Sequence, residues 1–385
     1  MAKEDGIFWA LRPMLTINSI SGIPAFSFKQ HGSSPTRWRV YCVCINVTLS
    51  FFFCFSLYIT MRIISSLNYF TKNIDIVAHV KVTWGLYSIF TVSISGYIHF
   101  FRRRQVEEVF LGLSRLVIGS RVERIRTWVY IQALAFLSFV VNLALMSGSE
   151  IESYRSLARM GYFTTLLLMF WGTIHMEQEW QFYNILLLLR LSTEDLNFRV
   201  RSLPDNLKGS LEHRSRTAKK ARVLRQLLRL RELQLKSHHT FKRAMSVYGL
   251  ANMILCGETL ISLAFFLFFV IDLSVFRYKQ TFSLRFFASI YWIFCEVSAM
   301  TFVVTASECL RKEVERTEKL VIDAMLKVED YPVRRELRLF ALQLLHTPFR
   351  SSACGFFPLE LTLFTSMTAT VVTYLVILVQ FKGSE

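Results

Sequence analysis

Seven apolar stretches alternate with polar and strongly basic segments along this chain. A transmembrane helix needs about 20 predominantly apolar residues, and 53% of the residues here are apolar. The third stretch is the clearest, because it carries no charged residue between Trp128 and Met146. The pattern predicts a multi-span helical membrane protein. The stretches, numbered here as spans 1 to 7, are 38–62, 74–101, 127–147, 158–176, 248–272, 286–307 and 361–381.

The distribution of basic residues predicts the orientation of these spans. Of the 45 Lys and Arg residues, 35 lie before span 1 or in the segments after spans 2, 4 and 6, and three (Arg39, Arg62 and Lys81) lie at the edges of spans or within them. The opposite side has only seven: Lys72, Arg155, Arg159, Arg277, Lys279, Arg285 and Lys382. Cytoplasmic segments carry such an excess, so we expect a cytoplasmic N-terminus. The first apolar stretch begins near Trp38, so span 1 itself is expected to act as the insertion signal. The net charge of +17 is thus explained by topology rather than by nucleic-acid binding.

The long inner segments have helical periodicity of their own. After span 4 the apolar pattern continues to Leu189 and meets no helix breaker before Pro204. Segments 214–247, 311–328 and 334–345 are also helical in pattern. We interpret them as extensions that pack together in the cytoplasm; the alternative is a basic amphipathic helix on the anionic leaflet. In segment 214–247 the leucines at helical spacing are Leu224, Leu227, Leu228 and Leu235.

The polar residues of span 7 are not scattered. They recur every three or four residues, which places small and polar side chains along one stripe of a helix. Spacing alone allows two interpretations: a packing seam between helices or the wall of a water-filled path. The stripe consists of Thr362, Ser366, Ala369, Thr373, Ile377 and Gln380.

The end of the chain resembles the C-terminal signature of insect gustatory receptors. Residues 373–381 consist of Thr-Tyr, five hydrophobic residues and Gln-Phe, as in that signature. Residues 353–360 resemble the segment that precedes the last span in the same family, with Glu360 where the family often has Asp. The resemblance implies a ligand-gated cation channel similar to insect odorant receptors. It also implies a tetramer, of this chain or with other gustatory receptors, in the plasma membrane of sensory dendrites.

In such a tetramer span 7 of each subunit lines the pore, and the inner helices form an anchor that holds the subunits together. The resemblance places the outer constriction at Gln380 and Phe381, and four Phe381 rings could close it by dewetting. Glu360 falls at the inner mouth, as a carboxylate that attracts cations or as a solvated acid at a helix start. The predicted pore and gate residues are Thr373, Ile377, Gln380 and Phe381, and the predicted lining residues are Thr362, Ser366 and Ala369.

These inferences predict an all-α integral membrane protein with seven transmembrane helices, a cytoplasmic N-terminus and long cytoplasmic helical extensions that form an anchor. The expected parts are a cytoplasmic segment 1–37, spans 1–4 in 38–176, helical extensions in 177–247, spans 5–6 in 248–307, anchor helices in 308–360, the pore-lining span 361–381 and an extracellular end 382–385.

Three ionisable residues, Lys81, Glu258 and Glu296, lie inside spans, where a charge needs a partner or a use. A Lys81–Glu296 pair is geometrically possible, and structural pairing explains these residues as well as ligand contact does. The resemblance implies a ligand pocket in the outer half of spans 2 to 6, although aromatic residues there also suit ordinary packing. The pocket candidates are Lys81, Trp84, Asn142, Met146, Tyr162, Glu258, Tyr291, Trp292 and Glu296.

The expected partners are a small-molecule tastant, permeating cations and membrane lipid, with no cofactor, metal or nucleic acid. A bitter or noxious compound is the default tastant; a sugar receptor of the same family, or a seven-span receptor or transporter without its own pore, is the alternative. A G-protein-coupled receptor would have the reverse orientation, and no Asp-Arg-Tyr follows span 3. The chain lacks HExxH, GxSxG, GxGxxG and P-loop motifs, so no enzyme class is indicated.

Overall fold

A computed structural model gives the structure of the protein. It describes residues 5–20, 101–116, 122–153, 158–204, 213–276 and 284–383, together with helical positions 51, 55, 58, 84, 87, 88, 90, 91, 94 and 98. Predicted span 1 and most of span 2 therefore lie outside the described residues.

The described ranges are mainly helical, and they also contain one pair of two-residue strands. The first helices are α1 (Asp5–Ile20), α2 (Arg103–Leu116), α3 (Val122–Ser153) and α4 (Ala158–Arg201). They are followed by α5 (His213–Ile271), a π-helical turn (Asp272–Phe276), α6 (Leu284–Lys327) and α7 (Tyr331–His346). Strands β1 (Ser352–Ala353) and β2 (Phe357–Pro358) precede α8 (Thr362–Gly383).

Three helices are much longer than a membrane is thick. Helices α4, α5 and α6 contain 44, 59 and 44 residues. A rise of about 1.5 Å per residue makes each of them roughly twice as long as a hydrocarbon core of about 30 Å, or more. Each therefore contains a predicted span and continues beyond it without a break. The predicted helical extensions are confirmed.

The extensions pack on one another and form a cytoplasmic core of their own. This core is built from one face each of α4, α5, α6 and α7, and its members are almost fully removed from solvent. Packing between helices, rather than attachment to the leaflet, is therefore what buries their apolar faces. The members are Leu196, Val200, Leu203, Val223, Leu227, Leu230, Val321, Ala324, Val328, Val333, Leu337, Phe340 and Leu344.

The buried face of the α5 extension differs from the face that the leucine spacing predicts. Leu227 is fully buried, but Leu228 and Leu235 are 45% and 37% exposed. The buried face runs instead through Val223, Leu227, Leu230 and Gln234, at spacings of four, three and four residues. The leucines of this segment populate two adjacent stripes of the helix, and only one of these stripes faces α4, α6 and α7.

Polar side chains fix how α5 and α7 pack against each other. Arg231 forms an ion pair with Glu336 at 3.0 Å and donates from Nε to Gln343 Oε1 at 3.0 Å. Gln343 Nε2 donates to Gln234 Oε1 at 2.7 Å, and Gln234 Nε2 donates to Thr347 Oγ1 at 3.0 Å. This chain of bonds joins two residues of α5 to residues on and just after α7, so it restricts sliding of one helix along the other.

His238 on α5 predicts a pH dependence of stability. Partial burial lowers the pKa of its imidazole, as do the nearby His239 and Lys242, while a hydrogen bond with the Pro348 backbone opposes them. Because the pKa is lower in the folded state, the unfolded chain takes up a proton first as the pH falls below about 6.5, and stability declines there. The unfolding temperature should therefore be modestly lower at pH 5.5 than at pH 7.5.

The matched variants are His238→Gln and His239→Gln. His238→Gln should reduce the difference between the two pH values, because the titrating group is gone, whereas His239→Gln should retain most of it. A His238→Gln protein with an unchanged difference would show that other groups cause the acid sensitivity.

A tight hairpin joins the cytoplasmic core to α8. Cys354 and Gly355 have φ angles of 52° and 82°, and positive φ values at both central positions of the turn 353–356 are what a type I′ turn requires. Phe356 N donates to Ala353 O at 3.0 Å and closes the turn. The hairpin lies directly on α5: a β-carbon placed on Gly249 would be 3.3 Å from the backbone nitrogen of Cys354.

Enlarging Gly249 should therefore disturb the segment that leads into α8. Gly249→Ala needs only a shift of a few tenths of an ångström, whereas Gly249→Leu must push the hairpin backbone away. Overpacking of this kind costs about 1–3 kcal/mol. Thermal unfolding of the purified receptor should show a small loss of stability for Gly249→Ala and a clear loss of stability for Gly249→Leu. Equal stability of wild type and Gly249→Leu would contradict the close contact.

Candidate functional site

Helix α8 is the least covered of the three membrane-length apolar segments found among the described residues. Three helical segments there are long and apolar enough to cross a membrane: Ala218–Val275, Ser289–Lys327 and Thr362–Gly383. In the first two, 56% and 44% of the most apolar window is buried, whereas in the third only 11% is buried. An apolar helix that its own chain leaves exposed must contact lipid, another subunit or the water of a pore.

The small covered face of α8 packs against the outer half of α5. Met367 and Val371 are 7% and 5% exposed. Further out, Leu375, Leu378 and Val379 pack against the outer end of α5 and the π-helical turn. Their partners there are Phe268, Phe269 and Leu273.

The stripe of small and polar residues faces the other way. All six of its side chains, from Thr362 to Gln380, are exposed in the single chain. With about 100° between successive residues, they lie within about 40° of one line, roughly opposite the face that contains Met367 and Val371. The stripe is therefore not a packing seam against the part of the chain that the structure describes. The remaining interpretations are a water-filled path or a contact with another subunit.

Four threonine hydroxyls of this helix donate to carbonyls of the helix itself. Thr373 Oγ1 donates to the carbonyl of Ala369 at 2.9 Å, and Thr370 Oγ1 donates to the carbonyl of Ser366 at 2.9 Å. Backbone bonding of this kind leaves the hydroxyl oxygen with acceptor capacity toward the open side. The exposed face of α8 is thus polar but uncharged, an arrangement that can accept from water without fixing one ion.

The two ends of α8 differ in character. At the outer end Gln380 is exposed and Phe381 is 58% exposed. At the inner end Glu360 is partly buried and contributes, after Glu308 and Glu315, to raising the pKa of Arg311. Glu308 is the main partner of that guanidinium, at 2.7 Å and 3.1 Å. Glu360 therefore faces a cation of its own chain, which neither of its two sequence interpretations included.

A second group of side chains, between Trp84, α5 and α6, is called here the aromatic–carboxylate cluster. The Trp84 ring stacks on Phe265 with centroids 4.9 Å apart, and it meets Phe266 and Trp292 edge-on at 5.2 Å and 6.4 Å. Such offset and edge-to-face pairs stabilise beyond the area they bury. The members are Trp84, Ser88, Glu258, Thr259, Ser262, Phe265, Phe266, Trp292 and Glu296.

Two buried carboxylates belong to this cluster. Glu258 is 4% exposed, and its Oε1 accepts from Ser88 Oγ at 2.6 Å and from Ser262 Oγ at 2.9 Å. Trp84 Nε1 donates to the same Ser262 hydroxyl at 2.8 Å. Glu296 is 1% exposed, and its Oε2 accepts from Thr259 Oγ1 at 3.2 Å. Glu258 and Thr259 are consecutive, so the two acidic groups are joined through adjacent positions of α5.

The structure brings together four of the nine pocket candidates: Trp84, Glu258, Trp292 and Glu296. A fifth, Tyr291, lies beside them on α6 and shares a hydrogen bond of 2.9 Å with Ser138 of α3. Lys81, and with it the suggested Lys81–Glu296 pair, lies outside the described residues. Asn142, Met146 and Tyr162 fall within α3 and α4, but their side chains are not among those described.

Sequence reasoning missed several members of the cluster. Ser262, Phe265 and Phe266 follow Glu258 by four, seven and eight residues, so they share its helix face and could have been found by helical spacing. Ser88 could not, because its contact with Glu258 joins residues 170 positions apart.

A buried polar group at the inner end of span 4 was also missed. Glu177, Gln178, Glu179 and Gln181 are each at most 4% exposed, and Tyr248 Oη donates to Gln181 Oε1 at 2.7 Å. The polar run that directly follows an apolar span was the available signal. Through Tyr248 this group reaches the part of α5 where Gly249 lies against the hairpin that leads into α8.

This architecture defines a class: a seven-span, all-α chemosensory receptor with long helical extensions. The sequence model of the 7tm Chemosensory receptor family matches residues 11–385. The chain belongs to that family, and the predicted fold class is confirmed.

A curated relative agrees with the family over a shorter stretch. A Drosophila melanogaster protein that carries the name gustatory receptor 28b is 30% identical over 87 residues, which are 23% of this chain and 18% of that protein.

Solved structures show the same fold. The insect olfactory receptor OR5 from Machilis hrabei in complex with eugenol superposes with a TM-score of 0.72 at 14% identity, over 98% of this chain and 100% of that one. The structure of OR5 described without eugenol gives a TM-score of 0.68 at 13% identity, over 96% and 97% of the two chains. At this identity the likeness concerns the fold alone.

Proposed function

We propose that this receptor is a gustatory receptor that acts as a ligand-gated, non-selective cation channel, opened by a small-molecule tastant. The observation that carries the proposal is the face of α8 opposite its packed side, which is small, polar, uncharged and uncovered by its own chain. Four copies around one axis would join these faces into a water-filled path, whether the tetramer contains this chain alone or other gustatory receptors as well. The site of action is the plasma membrane of a sensory dendrite.

The chemistry of this path favours weak selection among cations. Hydroxyl and amide oxygens from Thr362, Ser366, Thr373 and Gln380 can replace part of a hydration shell, but they carry no charge that would hold one ion. Glu360 at the inner mouth adds carboxylates that attract cations, reduced by the neighbouring Arg311. A ring of Phe381 side chains at the outer end supplies the apolar constriction that closes the path.

A continuous set of rings supports coupling between ligand and gate. Trp84 stacks on Phe265, and Phe265 stacks on Phe269 with centroids 6.1 Å apart. Phe269 belongs in turn to the group that packs against Leu375 and Leu378 of α8. Helix α5 thus contributes residues both to the cluster and to the contact with α8. A ligand that displaces the Trp84–Phe265 pair would shift the support of the gate.

The tastant we propose by default is a bitter or noxious compound, with a sugar as the alternative. The aromatic–carboxylate cluster is the proposed ligand site. The OR5 receptor of the same fold is described in complex with eugenol, a small aromatic molecule, which supports a small organic ligand for this chain.

Recording from excised patches of cells that express the chain alone, across a broad tastant panel, tests the channel proposal. We expect ligand-evoked cation current that persists after excision and needs no G protein. Responses that vanish on excision, or that require a G protein, would show a receptor without a pore of its own.

A further inference from the structure

One oxygen of the buried Glu258 carboxylate accepts no hydrogen bond from the side chains that the structure describes. Oε1 accepts two hydroxyl hydrogen bonds, whereas Oε2 has no hydrogen-bond partner among the described side chains. None of the Lys and Arg residues that the structure describes forms an ion pair with it. A buried acidic oxygen without a donor is costly, and such a group calls for an explanation.

The hydrogen bonds indicate which kind of group is missing. Oε1 already accepts two hydrogen bonds, whereas Oε2 accepts none from the described side chains and keeps its acceptor capacity. Protonation at Oε2 would instead create a donor that has no described acceptor. The group that completes this environment must therefore donate a hydrogen bond, and in a low-dielectric interior it should also carry positive charge.

The walls around Glu258 favour an organic cation over a hydrated ion. Trp84 is linked to the carboxylate through Ser262, at 2.8 Å and 2.9 Å, and Phe266 and Trp292 lie against Trp84. Indole and phenyl rings attract an ammonium group through their faces and bury the apolar remainder of a ligand. The structure describes no group of His, Cys, Asp and Glu able to hold a metal ion in the residues searched.

We propose that the cluster recognises a lipophilic amine, bound as its ammonium form, whose N–H donates to Glu258 Oε2. The second carboxylate, Glu296, strengthens the negative field of the site. This assignment rests on the proposed receptor function and narrows it: a sugar brings many hydroxyl groups but no charge, and a neutral phenol or alcohol cannot supply the cation. The ammonium and the aromatic part of the ligand are then recognised by the two halves of one cluster.

The test compares ligand pairs that differ only in ammonium against hydroxyl: 2-phenylethylamine with 2-phenylethanol, and tryptamine with tryptophol. Thermal stabilisation of the purified full-length receptor in lipid nanodiscs measures binding without requiring current. We expect the amines to stabilise at concentrations about tenfold lower than the alcohols, as a charged partner implies. Alcohols that match the amines, or amines that give no stabilisation, would overturn the assignment.

Two variants locate the effect. Glu258→Gln keeps the shape and should abolish the preference for amines, whereas Glu232→Gln, the same change at an exposed site on the same helix, should keep it. A Glu258→Gln receptor that keeps the preference for amines, or a Glu232→Gln receptor that loses it, would overturn the proposal. The unliganded unfolding temperature of each variant shows whether it has folded.

The outcomes separate this proposal from the channel function. Amine-selective stabilisation without current would retain the ligand class and reject the channel. Current evoked by the alcohols as readily as by the amines would retain the channel and reject the ligand class.

Discussion

Replacing Phe381 with alanine is expected to raise the current that flows without ligand by about an order of magnitude. Phe381 is 58% exposed at the outer end of α8, where four rings would meet around the axis of a tetramer. A narrow apolar constriction closes a pore because water leaves it. Loss of four rings widens and wets that constriction, so the closed state leaks. The measurement is basal whole-cell current, normalised to receptor at the cell surface.

The matched control is Val372→Ala. Val372 is 52% exposed on the same helix, but it lies on the opposite flank of the stripe and deeper in the membrane. Basal current should stay near the wild-type value in this variant, and Phe381→Leu should fall between wild type and Phe381→Ala. Unchanged basal current in Phe381→Ala, with normal surface expression, would remove Phe381 from the gate.

Phe340→Ala should remove most of the receptor from the cell surface. Phe340 is fully buried in the cytoplasmic core, between extensions that belong to four different helices. Truncating a buried Phe costs about 3–5 kcal/mol, a large part of the roughly 5–15 kcal/mol that typically holds a domain folded. Surface labelling and thermal unfolding of the purified protein measure the loss.

Leu345→Ala on the same helix is the control. Leu345 is 63% exposed in the single chain, so its truncation should change protomer stability by less than about 0.5 kcal/mol. Similar losses for Phe340→Ala and Leu345→Ala would mean that the cytoplasmic core does not carry the stability assigned to it.

The helical extensions were predictable because their signal is local. An apolar pattern that continues past a span without Pro or Gly before Pro204 allows little other than a continued helix. The buried face of α5 was less predictable, since Leu224 and Leu228 form one stripe and Val223, Leu227 and Leu230 form another. Which stripe is buried depends on where α4, α6 and α7 lie, and that information is not contained in the segment itself.

The candidate site was also predictable only in part. The stripe of α8 follows from spacing along one helix, and the structure adds that this stripe faces away from the chain. Its role in a pore remains a prediction. The partners of Glu258 were only half accessible: Ser262 shares its helix, but Ser88 and Trp84 come from a segment about 170 residues earlier. Pairings at that distance depend on tertiary packing.

Cysteine accessibility along α8 tests the pore directly. Thr373→Cys and Ile377→Cys place thiols on the stripe, and Val371→Cys places one on the face packed against α5; the exposed Cys354 is replaced by Ser in all three. The reagent is a positively charged methanethiosulfonate applied while ligand keeps the channel open. We predict irreversible block of ligand-evoked current in the two stripe variants and none in Val371→Cys. Block at Val371→Cys with no effect on the stripe would contradict the account.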